Sequence, residues 1–246
     1  MAATTLTAPD GTAFRDLNHN GTMEPFEDPR LSTAERVADL VPRLSLEEKA
    51  GLMFHTVIEA GADGAPLKGP GAISKTGSRE VIVDKLVNHF NVHALPEPRL
   101  AARWHNAIQD LAAQAPHSIP VTISTDPRHG YIDNAGVSFS AGHLSQWPEP
   151  IGLAALDDPE LVRQFAEVAN EEYRALGIRA ALHPTVDLCT EPRWARQAGT
   201  FGADPDRVAA LTAAYLDGLQ GGQVGPRSVA CVTKHFPGGG PRRRRS

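Results

Sequence analysis

Apolar residues along the chain recur at two periods, and the alternation of those periods predicts most of the architecture. Between Ser32 and Ala50 the apolar positions Val37, Leu40, Val41, Leu44 and Leu46 fall at helical spacing, interrupted by Pro42. They predict a helix, a turn, and a second helix opening at Ser45, where Glu48 completes a capping box. Gly51 to Ile58 is a short apolar run bounded by glycine and suits a buried strand. Leu100, Trp104, Ala107, Ile108, Leu111 and Ala115 mark a helix within 96–115, after which Pro120 to Thr125 reads as a strand ending at Asp126. A helix over 158–176 carries Leu161, Phe165, Val168 and Ala169 on one face and stops at Gly177. Ile178 to Leu182 is the next strand, followed by His183 and Pro184. A helix over 204–218 and a strand over 229–233, the latter followed by Lys234 and His235, complete the pattern. Residues 1–30 form an irregular polar arm rich in Asp, Asn, Gly and Pro.

Strands alternating with helices imply right-handed βαβ units and a mostly parallel sheet, hence an α/β fold with about five strands. In a parallel barrel or a doubly wound sheet, binding and catalytic groups collect at the carboxyl ends of strands. Asp126, His183, Lys234 and His235 stand at such ends.

Composition narrows the class. Of 246 residues, 41% are hydrophobic and 22% charged, the balance of a chain that builds a core rather than one that stays disordered. Twenty-two glycines and 20 prolines imply many turns between short elements. No apolar run approaches the ~18 residues that cross a bilayer, so no membrane partner is expected. The first residues lack a basic stretch followed by an apolar one, which reads as no secretory signal and a cytoplasmic location. The net charge of −5 includes Arg242, Arg243, Arg244 and Arg245; removing those four positive charges leaves −9. An acidic body offers no footprint for nucleic acid. Cys189 and Cys231 match neither a disulfide framework nor a zinc spacing and read as reduced, buried thiols.

Dinucleotide fingerprints, phosphate loops, nucleophile elbows and zincin motifs are all missing from the chain. His89 and His93, spaced i, i+4, would share one face of a helix, although ordinary packing histidines have the same spacing. Asp16, Asn18, Asn20, Gly21 and Glu27 fit a twelve-residue calcium loop: oxygen ligands at positions 1, 3 and 5, glycine at 6, and a bidentate carboxylate at 12. Pro25 and Pro29 disrupt the exit helix, so the alternatives are a lone structural calcium turn and an Asn/Asp turn network without metal. Finally, Asp126, Arg193, Arg196, Lys234 and His235 could surround a polyhydroxylated ligand, whose hydroxyls must each be matched once desolvated. Alternatively, Arg193 and Arg196 pair with Glu191 or Asp187 and pin a loop.

At these residues the sequence resembles glycoside hydrolase family 3, the β-glucosidase-like group, over nearly the whole chain. The matching segments occur in order: DLNHNGTMEPFEDPR from Asp16, LSLEEKAGLM from Leu44, IPVTISTDPRHG from Ile119, and Glu149 to Ala155 before the helix ending at Ala175. PTVD from Pro184, PRWAR from Pro192, TFGADP from Thr200 and KHFPG from Lys234 follow. The resemblance implies an incomplete (β/α)8 barrel of the TIM type over 31–240, preceded by the arm at 1–30 and followed by an aberrant basic tail at 241–246. It implies retaining hydrolysis of terminal β-linked sugars through a covalent intermediate, in the service of carbohydrate metabolism, with no cofactor required for catalysis; calcium, suggested by the loop spacing alone, would be a structural ion. By the same resemblance Asp126, Arg196, Lys234 and His235 bind the sugar of a glycoside or oligosaccharide, while Asp187 orders the loop that carries Arg193 and Arg196. The family often has Gly where Ala195 stands and Glu where Gly199 and Ala203 stand. Its nucleophilic aspartate and acid/base carboxylate lie on strands and a domain past the KHFPGGGP segment. The expectation is therefore a truncated chain, inactive alone, whose arginine tail marks a frameshift or gene-model boundary. The alternative is a non-catalytic sugar-binding or calcium-stabilised module.

Overall fold

The computed structural model describes residues 4–134 and 138–236. The tail expected at 241–246 lies outside them. The chain divides into two compact units, Met1–Thr122 and Ile123–Ser246.

The first unit opens with an antiparallel hairpin, β1 (Thr4–Thr7) and β2 (Ala13–Asp16), in place of the irregular arm expected there. Helices α1 (Thr33–Arg43) and α2 (Leu46–Leu52) follow, α2 opened by the capping box expected of Ser45 and Glu48 and α1 by a second one, Ser32 with Glu35. Pro42 falls in the last turn of α1 and does not shorten it. Strands β3 (His55–Ile58) and β4 (His89–Val92) pair in parallel, and α3 (Pro98–Ala112) buries Ala101, Trp104, Ile108 and Ala112. His89 lies in β4 and His93 just beyond it, so their spacing spans about 13 Å of extended chain rather than one helical turn.

The second unit is built from β5 (Thr122–Thr125), α4 (Pro150–Leu156), α5 (Pro159–Ala175), β6 (Ile178–Ala181), α6 (Pro205–Gln220) and β7 (Ala230–Cys231). The three strands run parallel in that order, β6 pairing with both β5 and β7. Local chemistry sets the helix ends. Asp158 and Asp204 cap α5 and α6 by accepting backbone N–H bonds, and a proline follows each cap. Gly177 takes φ +79°, the left-handed conformation that ends α5. Among the described residues no helix is long and apolar enough to cross a membrane.

Helices α5 and α6 pack through Val162, Phe165, Ala166 and Ala169 against Val208, Leu211, Tyr215 and Leu219, all buried. Gly218 permits the approach. A Cβ there would lie 2.4 Å from the Arg163 carbonyl oxygen and 2.5 Å from the Ala166 Cβ. Helix propensity favours alanine over glycine by about 1 kcal/mol, but neither obstacle is a flexible side-chain end. Gly218→Ala is therefore expected to destabilise the fold by about 2 kcal/mol, read as a lower urea midpoint; a raised midpoint would show that the helices part without cost.

Candidate functional site

The carboxyl ends of β5, β6 and β7 bring together three of the four residues expected to bind sugar. Leu182 N donates to the Thr125 oxygen at 2.8 Å and Val232 N to the Ala181 oxygen at 2.7 Å, so the strand pairing continues past the regular strands. Beyond it, Lys234 N donates to Pro184 O at 3.0 Å and Val186 N to Lys234 O at 2.6 Å. The Lys234 side chain then reaches back so that Nζ donates to Asp126 Oδ1 at 2.6 Å. The Asp126 side chain is only 4% exposed and that of Lys234 18%. Next to this pair, the His235 backbone N–H and ring Nδ1 both bond to Asp187 Oδ2, at 3.2 and 2.7 Å. Asp187 is buried, and the His235 side chain is 41% exposed. These bonds tie Asp187 to the residue after Lys234.

The two arginines part company. Arg193 is 89% exposed and pairs with Glu191 at 2.8 Å, the loop-pinning alternative. Arg196 is half-buried against a small cavity whose lining includes Asn134, Ser138, Glu149 and Thr185. Its buried Nε has no hydrogen-bond partner among the described residues. A buried guanidinium N–H without an acceptor is costly, and a ligand hydroxyl satisfies it. Gly199 lines the same cavity, and a Cβ there would meet nothing within 4 Å among the described residues.

Several further residues surround the site in the second unit. Arg128 is buried, donates from Nε to Thr125 Oγ1 at 2.6 Å and lies 4.2 Å over the Phe139 ring; burial lowers its pKa to about 10. Glu149 Oε1 accepts from the backbone N–H groups of Tyr131 and Ile132, each at 3.0 Å. It fills the space beside Gly130, where a Cβ would lie 2.1 Å from that oxygen, which explains the glycine closing the DPRHG segment. His183 is fully buried between two phenols, 3.2 Å from Tyr173 Oη and 2.6 Å from Tyr215 Oη. Burial, and secondarily the Lys234 charge, hold its pKa well below 6.5. Both cysteines are free and half-buried rather than buried, and desolvation pushes the Cys231 thiol up to about 12.

The calcium-like loop belongs to the first unit. Asp16 accepts from Asn20 N at 3.1 Å and Gly21 N at 3.0 Å, and Asn18 Oδ1 from Asn20 N at 3.2 Å. The Asn20 amide donates to Glu24 at 2.5 Å, while Glu27 accepts from Leu17 N at 2.6 Å and Glu24 N at 3.1 Å. These bonds join the side chains of the loop to its own backbone and to Glu24. Among the described residues no group of three or more His, Cys, Asp or Glu side chains is placed to hold a metal.

Residues 64–245 match the model of the glycosyl hydrolase family 3 N-terminal domain. The chain belongs to this family. Its relatives include a probable β-glucosidase C of Aspergillus oryzae, 50% identical over 219 residues, covering 88% of this chain and 34% of the relative. Another is a periplasmic β-glucosidase/β-xylosidase of Dickeya chrysanthemi, 44% identical over 234 residues, covering 94% of this chain and 36% of the relative. Among solved structures, a β-glucosidase from Erythrobacter marinus superposes with a TM-score of 0.65 at 26% identity, covering 85% of this chain and 26% of that one. The family 3 chain described here thus spans about a third of the length of the curated relatives it matches. Its α/β fold, with helices around parallel strands, is that of the family's N-terminal domain.

Proposed function

We propose that the chain contributes the sugar-binding part of a retaining β-glycosidase site that takes terminal β-linked glucose or xylose. The observation that carries this reading is the placement of Asp126, Lys234 and His235 at neighbouring strand ends, with Lys234 held on Asp126 and His235 on Asp187. A pyranose presents adjacent hydroxyls that both donate and accept. A buried carboxylate beside an ammonium and an imidazole matches such a pair, and Arg196 supplies a further donor on the same unit. The two named relatives, a β-glucosidase and a β-glucosidase/β-xylosidase, support the substrate class.

Retaining hydrolysis also needs a nucleophilic carboxylate about 5–5.5 Å from an acid/base carboxylate. Asp126 is tied to Lys234 and Asp187 to His235, so both serve the sugar site rather than bond cleavage. On this reading the two reacting carboxylates come from the two-thirds of the relatives' length that this chain does not cover. Calorimetric titration of the chain with methyl β-D-glucopyranoside tests the proposal. Saturable binding in the millimolar range, without release of nitrophenol from an aryl β-glucoside, is the expected result. Absence of binding sinks the sugar reading, and turnover by the chain alone sinks the division of labour.

A further inference from the structure

The segment that carries Asp126 is fastened to helix α5. Glu172 stands on α5, seven residues after the buried Phe165, at the edge of the helix's apolar stripe. Its carboxylate accepts from His129 Nε2 at 2.8 Å, and from the backbone N–H and the hydroxyl of Ser145, both at 3.1 Å. A carboxylate only accepts, so His129 carries a proton on Nε2. The His129 carbonyl in turn accepts from Trp147 N at 2.7 Å, and Trp147 Nε1 donates to Ser145 Oγ at 3.0 Å. Glu172, His129, Trp147 and Ser145 therefore close a ring of hydrogen bonds that joins both arms of the loop after β5 to one helix. Two backbone bonds reinforce the join, Phe139 N to Pro127 O at 2.8 Å and Ala141 N to Gly130 O at 2.9 Å. The His129 ring is 3% exposed and packs edge-on to Phe165 and against Tyr173, both also on α5.

We infer that Glu172 is a positioning residue: through His129 it sets where Asp126 lies, and so whether Asp126 meets Lys234. A carboxylate at the edge of an apolar stripe loses hydration, which is tolerated here because its oxygens are taken up by the loop's donors. An alkyl side chain would fill the same volume without fixing the loop. His129 is only three residues past Asp126, with the Pro127 ring between them, so a displaced imidazole carries the carboxylate with it. A helix packed on both sides is a stiffer support than the loop itself, and misplacing a binding group by about 1 Å is costly. The consequence for affinity rests on the sugar-binding reading; the consequence for the Asp126–Lys234 pair does not.

The experiment measures Lys234 directly. Its acylation by an N-hydroxysuccinimide ester is followed by peptide mass spectrometry on the full chain, normalised to the exposed Lys75, with Asp126→Asn as the reference for a lysine that has lost its ionic partner. Glu172→Ala and His129→Ala are expected to raise Lys234 labelling about threefold or more, and Glu172→Gln, which keeps an oxygen for His129, to restore most of the protection. Methyl β-D-glucopyranoside affinity should fall about tenfold in Glu172→Ala and recover in Glu172→Gln. Wild-type labelling of Lys234 in a folded Glu172→Ala chain, or in folded His129→Ala if the first does not fold, overturns the inference. If the wild type binds no sugar, the binding proposal falls while the lysine measurement still decides the positioning role.

Discussion

Asp126→Ala is expected to weaken methyl β-D-glucopyranoside binding about a hundredfold, the largest loss from any single side chain of the site, equivalent to about 3 kcal/mol. Two effects add. The sugar loses an acceptor, and Lys234, whose side chain is 18% exposed, loses the carboxylate that neutralises it at 2.6 Å. An ammonium left in a partly desolvated place either draws in water, which the ligand must then displace, or swings out of the site. Asp126→Asn separates the two, since the amide oxygen still accepts while the charge is gone, and its loss should fall between wild type and alanine. The control is Arg193→Ala. Its guanidinium is 89% exposed and already held by Glu191, and screened surface pairs of this kind contribute little. Unchanged binding in Arg193→Ala alongside a collapse in Asp126→Ala would separate a placed site from general charge attraction. Equal losses in both would sink the site as drawn. Melting curves of each variant distinguish lost binding from lost folding.

The parts of this protein that its sequence reveals are those decided within a few residues. Ser32, Ser45, Asp158 and Asp204 each cap the helix that follows, and Pro159 and Pro205 start their helices where a missing N–H costs nothing, so these boundaries were readable. Strand β4 was missed because His89 and Asn91 alternate with Phe90 and Val92 over only four residues, and α4 because its seven residues include Gly152. The β1–β2 hairpin hid in a Thr-rich stretch that is mostly exposed and so lacks an apolar signature. The site divides in the same way. Asp126 and Lys234 were legible because a charged residue directly after an apolar run marks a strand end. Their supports were not. Glu172 meets His129 across 43 residues of sequence and Tyr215 meets His183 across 32, distances over which no local pattern carries information. The one available hint was a glutamate beside the apolar stripe of α5, where a surface helix would place an alanine or leucine.

His183 makes the stability of the second unit depend on pH in a range where carboxylates are silent. Its ring is fully buried between Tyr173 and Tyr215, and desolvation together with the Lys234 charge keeps it neutral, with a folded pKa well below the ordinary 6.5. The unfolded chain therefore binds a proton at this residue before the folded chain does. Stability rises with pH wherever the unfolded state holds more protons, so the contribution of neutral His183 is complete above about pH 6.5 and is lost as pH falls below it. The slope for one such group is about 1.4 kcal/mol per pH unit. His129 shifts the same way, burial outweighing the Glu172 charge, and adds to the slope. Glu48 and Glu59, whose pKa values lie below the ordinary 4.5, lose their contribution only in more acid solution. Urea unfolding at pH 7.5, 6.5 and 5.5 should thus show little change over the first step and a marked fall over the second. His183→Gln supplies the decisive comparison, because its amide can still donate to one phenol and accept from the other but cannot titrate. The variant is expected to be less stable at pH 7.5, with the gap to wild type narrowing by about 1 kcal/mol at pH 5.5; a gap that stays constant would mean that His183 is charged, or reachable by water, in the folded chain. The same acid loss bears on the site, since the residue after His183 is Pro184, whose carbonyl accepts the Lys234 backbone N–H at 3.0 Å.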